Sequence, residues 1–485
     1  MLKKTTAVML ILTILLSLLL SACSEDTSSG DVNNAAVTNG DNIGTAETEA
    51  AETTYYDTIT IPDYQRERFT VLARNENIGE FYSEGEVGEV VNDAVYKRNQ
   101  IVADRMNINL QVTGVNGGWN EQTTFIQTVN RSIQSEEDAY QLIAGYMCYM
   151  SSTILDGWYQ NITELPHVNL DNSWWVQGFN DNMTINGNLY AALGDACWTM
   201  LQGAYCGFAN VTLLEERNFS SDQLYQDILD GKWTFDYMIE LAKDISVDVD
   251  GDSKMSAADM YGIGMQYMPV RALTTSFGLD YTTRDSDNLP QIALYGEKFV
   301  SACESVYAAV NSDYWYDGHD TKMLMENRLL FFFDVLNTSN TFREMESEFM
   351  VVPMPKYDEA QENYRTETLD GTSILMVPVT VKNTDLCGMA MELLNYEAKE
   401  QITPAYFETA LQTKYARDER SSTLMQLIRD TIYFDFGCVF SNEIGELGKI
   451  MEFAMIKNNM ASFWEKKQKS YQQGLEDLLE FYSKQ

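Results

Sequence analysis

Histidine is almost missing from this chain: His167 and His319 are the only two in 485 residues. A histidine-rich zinc site or a histidine-based catalytic triad therefore has little material to draw on. Six cysteines of the body, Cys148, Cys197, Cys206, Cys303, Cys387 and Cys438, are scattered and form no C-x-x-C pair. They read as small buried apolar residues, and a disulfide between Cys197 and Cys206 stays open. Positive charge is scarce too: 33 Lys and Arg stand against 72 Asp and Glu, a formal net charge of -39. Phosphate backbones and anionic lipid head groups repel such a chain. This argues against nucleic acid as a partner and against electrostatic adhesion to a membrane. There is no phosphate-cradling Gly-rich loop and no internal repeat. Beyond the N-terminus no apolar run is long enough to span a bilayer. What is abundant is core material: 45% of residues are hydrophobic and 12% aromatic, over a length that suits two or three domains.

The first 23 residues organise the rest. Lys3 and Lys4 precede an apolar run over 7–20, which ends in Leu20-Ser21-Ala22-Cys23. Basic start, apolar middle and small residues before a cut are the pattern of a secretory signal. The run is shorter than the ~20 residues of a spanning helix. A cut just before a cysteine resembles the lipobox of bacterial lipoproteins. That resemblance implies a diacylglycerol on the Cys23 thiol and a mature protein that begins there. Residues 24–54 carry no aromatic, no Lys and no Arg, the composition of a disordered, self-repelling tether. The expected layout is a signal peptide over 1–22, a lipidated Cys23 and tether over 23–65, and a folded body from about Arg66, held on the outer face of the cytoplasmic membrane.

In the body, residues 69–73 read as a strand, 92–106 as a helix with Val95, Val102 and Met106 on one face and Asn92 or Asp93 as its cap, 107–115 as an alternating strand, 122–134 as a helix and 140–146 as a strand. Strand, helix, strand, helix, strand argues for a parallel doubly wound α/β sheet. Ligands gather at the carboxyl ends of such strands, which puts Asn75, Glu76, Trp119, Tyr146 and Tyr149 at one rim. Further on, Thr234 suits a helix N-cap, with Trp233 stapled onto Met238. Residues 261–267, 328–336, 349–352 and 374–379 read as strands. From Leu386 the chain reads as helices, interrupted at Pro404, the last over 462–483.

Residues 248–259 place Asp248, Asp250, Asp252 and Asp259 at positions one, three, five and twelve of an EF-hand-type loop. A hard cation such as Ca2+ needs several oxygens at this spacing. Asp248, Asp250, Asp252 and Asp259 would supply carboxylates, Lys254 its carbonyl and Ser256 a direct or water-mediated oxygen. Position six, usually Gly, is Ser253, which strains the turn, and position twelve is Asp, as in dockerin-like loops. With no second loop to pair with, a structural ion is expected.

Several stretches, taken in order behind the lipobox, resemble the extracellular solute-binding lipoproteins of ATP-binding-cassette (ABC) importers. The likeness is to the carbohydrate-associated, maltose-binding-protein-like group, and most to a branch common in clostridia. They are NDAVYKRN at 92–99, SWW at 173–175, INGNLY at 185–190, GKWT at 231–234, PMPKYDEAQ at 353–361, VPVT at 377–380, PAY at 404–406 and KYARD at 414–418. The resemblance implies a two-lobe type II periplasmic-binding-protein-like fold with hinge crossovers and a helical C-terminal part. One lobe would comprise 66–198 plus 354–400 and the other 199–353 plus 401–485, with crossovers near 195–203, 353–355 and 399–404. It further implies a monomer that closes on a small solute and delivers it to permease subunits driven by a partner ATPase. A sugar needs flat apolar faces and fixed polar groups. The candidates at strand ends and crossovers are Glu76, Trp119, Tyr146, Trp198, Tyr267, Asp334 and Asp370. Trp174, Trp175 and His167 read as structural, and Trp315 as a cleft wall or a surface loop. Two other functions compete with import: a surface glycan-active enzyme with two carboxylates, and a calcium-dependent adhesion or scaffold protein.

Overall fold

The computed structural model describes residues 54–411 and 419–484. Cys23, the signal segment, most of the tether and the KYARD stretch lie outside the described residues. Residues 61–485 form one compact unit. Eight strands carry its two main sheets: β1 (Glu67–Arg74), β2 (Ile108–Val115), β3 (Leu142–Tyr146), β4 (Tyr205–Asn210), β5 (Met260–Gly264), β6 (Leu329–Val335), β7 (Phe349–Pro353) and β8 (Ser373–Met376).

The first sheet runs β8-β3-β1-β2, with β1, β2 and β3 parallel and β8 antiparallel to β3. Helices Val90–Met106 and Gln122–Gln134 make the two crossovers that a parallel sheet demands. Val95, Val102 and Met106 are buried, as the helical spacing requires. The cap is neither Asn92 nor Asp93. Glu89 accepts from the Asn92 amide at 3.3 Å, while Asp93 turns back to the Val87 and Gly88 amides at 2.7 and 3.1 Å. The fold takes in Tyr64 before Arg66: Tyr64 is buried and its hydroxyl donates to Asp385 at 2.7 Å.

The second sheet runs β7-β4-β6-β5, with β4 antiparallel to both β7 and β6, and β5 parallel to β6. The short segments Ser246–Val247 and Trp315–Tyr316 pair along the other edge of β5. Phe208, Phe332, Phe342 and Phe349 pack edge to face within this core. Trp233 is fully buried and packs tilted against Phe331, ring centroids 5.3 Å apart, its indole donating to the Pro353 carbonyl. Thr234 caps the next helix, accepting from the Tyr237 amide.

The two sheets make two lobes, and two passages join them side by side. The Leu369 amide donates to the Gly203 carbonyl at 2.7 Å, and the Tyr205 amide to the Glu367 carbonyl at 2.9 Å. The outgoing passage runs through 203–205. The return lies at 367–369 and not at 353–355, because Lys356 is still bonded to Trp233 and Phe235 of the second lobe. Residues 399–404, the expected third crossover, belong to continuous helix: a π turn at Ala398–Ile402 leads into Thr403–Leu411, and Pro404 fits in its first turn. Before it, helix Thr384–Glu397 is tied to the first lobe. Buried Glu392 accepts from the indoles of Trp174 and Trp175 at 3.1 and 2.9 Å. The helix Glu419–Asp430 packs against β7 of the second lobe. His167 binds Asp385 at 2.7 Å. Cys197 and Cys206 are both buried and unpaired, so no disulfide joins them. The final helix, Met460–Ser483, touches both lobes: Trp464 lies on Tyr295 and Phe299, and Tyr482 on Tyr190.

Candidate functional site

The carboxyl ends of β1 and β3 build one rim of the cleft between the lobes. Trp119 follows β2 and is 50% exposed, although a large apolar ring is costly to leave in water. Its ring centroid lies 6.3 Å from that of Tyr146, which lies 5.0 Å from that of Tyr149. The Arg74 guanidinium covers Tyr146 at 4.6 Å and donates to the Gly371 carbonyl at 2.6 Å. Glu76 accepts from the Gly117 amide at 3.1 Å, and the Tyr149 hydroxyl donates to the Gly117 carbonyl at 2.6 Å. Gly117 is needed for this close approach: a Cβ there would meet Arg74 and Phe125 at 2.8 Å. Asp370 accepts from the Tyr146 hydroxyl at 3.2 Å. Burial, then the Asp370 charge, raises the Tyr146 phenol, which stays protonated. Four of the seven predicted ligand residues, Glu76, Trp119, Tyr146 and Asp370, thus share one rim.

Beside Asp370 a narrow cavity of about 60 Å³ opens between the lobes, with Cys148, Tyr205, Arg271, Glu367 and Asn442 among its walls. Burial pushes the Glu367 carboxyl up to about 7, the Thr275 hydroxyl and Arg271 charge opposing and the Asp370 charge adding. Burial pushes the Cys148 thiol to about 12, so it is no nucleophile at neutral pH. Asn442 donates to the Cys148 carbonyl at 2.9 Å, so the C-terminal segment reaches the first-lobe rim.

The second lobe places Asp334 at the end of β6. Asp334 pairs with His319 at 2.5 Å and accepts from the Thr338 hydroxyl at 2.8 Å. Tyr267 does not end a strand, as expected, but opens the helix Tyr267–Ser276 and is 43% exposed. Arg271, one turn on, covers its ring at 5.1 Å and is held by Glu452 at 2.7 Å. Trp198 is no cleft platform: it is buried against Tyr406 at 5.8 Å. Trp315 is a core residue whose indole donates to the Met265 carbonyl. Tyr205, Arg271 and Glu367 were missed. Glu367 lies three residues before Asp370, but only the side-by-side passage of 203–205 and 367–369 brings it to Tyr205.

In the acidic loop, carboxylate oxygens of Asp248, Asp250 and Asp252 lie within 4.8 Å of one another. Asp248 accepts from the Gly251 and Ser253 amides, Asp250 from Asp252, and Asp252 from Lys254. These bonds fold the loop around three hard oxygens, a donor set that suits calcium. Ser253 has φ +65°, the left-handed strain expected where Gly is usual. Asp259 stands outside the trio. Its oxygens take the Val249 and Ser256 amides at 2.8 and 2.7 Å. The Ser256 hydroxyl takes the Ala258 amide.

Neither a family model nor a curated protein matches the sequence. Solved structures do match its shape. The galacto-N-biose/lacto-N-biose I-binding protein of an ABC transporter from Bifidobacterium longum, in complex with lacto-N-biose, is 13% identical with a TM-score of 0.58, covering 87% of this chain and 98% of its own. The cyclic alpha-maltosyl-1,6-maltose-binding protein of Arthrobacter globiformis is 12% identical with a TM-score of 0.56, covering 84% and 99%. The sugar-binding protein MalE of Xanthomonas citri is 11% identical with a TM-score of 0.55, covering 85% and 98%. At these identities the likeness establishes the fold: a two-lobe, type II periplasmic-binding-protein-like architecture.

Proposed function

We propose that this chain is the solute-binding component of an ABC importer, capturing a sugar or oligosaccharide outside the cell and handing it to a membrane permease. The observation that carries this reading is the exposed ring of Trp119, stepped onto Tyr146 and Tyr149 beside Glu76 and Asp370 at a cleft between two lobes. A pyranose offers a C–H face to such rings and hydroxyls to such carboxylates. Proteins of the same fold are described as sugar-binding, one in complex with lacto-N-biose, which supports the choice of solute. Export, lipidation at Cys23 and a stand-off tether belong to the same proposal and account for an acidic body that needs a covalent hold on its membrane. Closure would be read by permease subunits, whose ATPase supplies the energy.

The test is thermal unfolding against mono- and oligosaccharides, with peptides as controls. A ligand that binds only the native state stabilises it by about 2.7 kcal/mol at a hundredfold excess over its Kd. A shift with one glycan class, without hydrolysis products, supports the reading. A shift with peptides alone overturns the sugar assignment, and turnover of a glycan overturns the binding-only role.

The acidic loop is proposed to hold one structural calcium ion through Asp248, Asp250 and Asp252, with Lys254, Ser256 and Asp259 as the remaining candidates. Carboxylates this close repel one another unless neutralised. Calcium is expected to raise Tm, and Asp250→Asn to remove most of that rise. An equal response to magnesium, or none to calcium, would retire the ion.

A further inference from the structure

A second concavity, of about 450 Å³, lies at the edge of the first sheet, and none of its lining residues belongs to the cleft site described above. It runs between the helix Val90–Met106 and β2, the edge strand of its sheet. Tyr82 and Tyr96 stand in its walls, and Ala103 and Leu110 contribute small and apolar surface. Tyr82 is 45% exposed. Gln100 and Gln111 are exposed and have no side-chain partner among the described residues. None of the ten lining residues is charged, in a chain where 22% of residues are. A groove of that volume is within the range of small-molecule sites.

From this chemistry we infer that the groove is a second saccharide site, for a neutral oligosaccharide bound independently of the cleft. Tyrosine rings supply stacking faces, and free primary amides offer both donors and acceptors to hydroxyls. The missing charge disfavours an anionic or cationic ligand. An extended peptide could also pair with the open edge of β2, but strand addition uses backbone groups and leaves the rings and amides without a role.

The experiment uses the full chain in detergent, with the cleft weakened by Trp119→Ala. Maltotetraose, cellotetraose and xylotetraose are titrated by saturation-transfer NMR. At least one is expected to bind, and adding Tyr82→Ala and Gln100→Ala should weaken it at least about tenfold with an unchanged circular-dichroism spectrum and Tm. Retained binding in that variant overturns the site, as does silence from all three sugars. A peptide of the β2 sequence that occupies the groove and displaces the sugar would assign the edge to strand pairing and also overturn it. Sugar binding lost with Trp119→Ala alone leaves the cleft proposal standing and removes this one.

Discussion

On the first lobe, Trp119, Tyr146 and Tyr149 form a run of rings with Arg74 laid over the middle one. Across the cleft, the second lobe offers paired polar groups instead: Asp334 with His319 and Thr338, and Arg271 with Glu452. Trp119 is half exposed, Tyr146 is part-buried under Arg74 and Tyr149 is buried, so the open binding surface of this rim is the Trp119 ring. Asp334 and Arg271 of the second lobe already have partners. Under the proposed sugar-binding role, such a division predicts that the first lobe captures the ligand and the second confirms it on closure, when its bonds can be exchanged for bonds to hydroxyls. The lobes meet at Glu367 and Asp370, three residues apart on the returning passage, and there the comparison can be broken most directly.

The largest effect is expected at Glu367. Its carboxyl lies in the interior, although the residue as a whole is part-exposed, and burial raises its pKa to about 7 from the ordinary 4.5. The folded state therefore holds a proton that the unfolded chain releases. Its stabilising effect is complete below about pH 4.5 and is lost as pH rises through about 7. Asp435, raised to about 6 by burial, acts in the same sense. Stability should fall between about pH 4.5 and pH 7, with Glu367 contributing at most about 3 kcal/mol. Glu367→Gln should flatten that part of the Tm-versus-pH curve. An unchanged slope would mean that the seam between the lobes is wetter than described, and that no buried acid marks their junction.

The second effect is on capture. Trp119→Ala should cost about 2 kcal/mol of sugar binding, roughly thirtyfold, with little change in the Tm of the unliganded protein because the ring is half exposed. Isothermal titration with the sugar found by thermal shift measures it. A loss below threefold would put the ring outside the contact surface and level the two rims.

Why the rims were unequally legible follows from range. The first rim comes from consecutive strand ends of a parallel sheet, and periodicity alone placed Glu76, Trp119 and Tyr146 there. The second rim depends on antiparallel strands and a late return of the chain, which no local pattern encodes. Residues 261–267 read as strand because all but Gln266 are apolar or glycine, yet Pro269 so close behind Tyr267 favours the first turn of a helix. Trp198 was drawn to the cleft by its place at a crossover, but Tyr406, 208 positions later, covers it. Trp174 and Trp175 were read correctly as structural. Their partner, Glu392, is over two hundred residues away and could not be named from sequence.

The smallest effect sharpens the comparison most. Asp334→Asn keeps the shape of the side chain and one acceptor for Thr338, but removes the anionic partner of His319. If the second lobe only confirms a ligand already held by the rings, the loss in affinity should be about 1 kcal/mol, some fivefold, and the unliganded Tm should barely move. The same titration that measures Trp119→Ala reads it. A loss equal to that of Trp119→Ala would make Asp334 a primary contact and end the division between capture and confirmation. The double variant separates the cases further. Independent rims predict additive losses, whereas a ligand that must touch both before either pays predicts a double loss little larger than the greater single one.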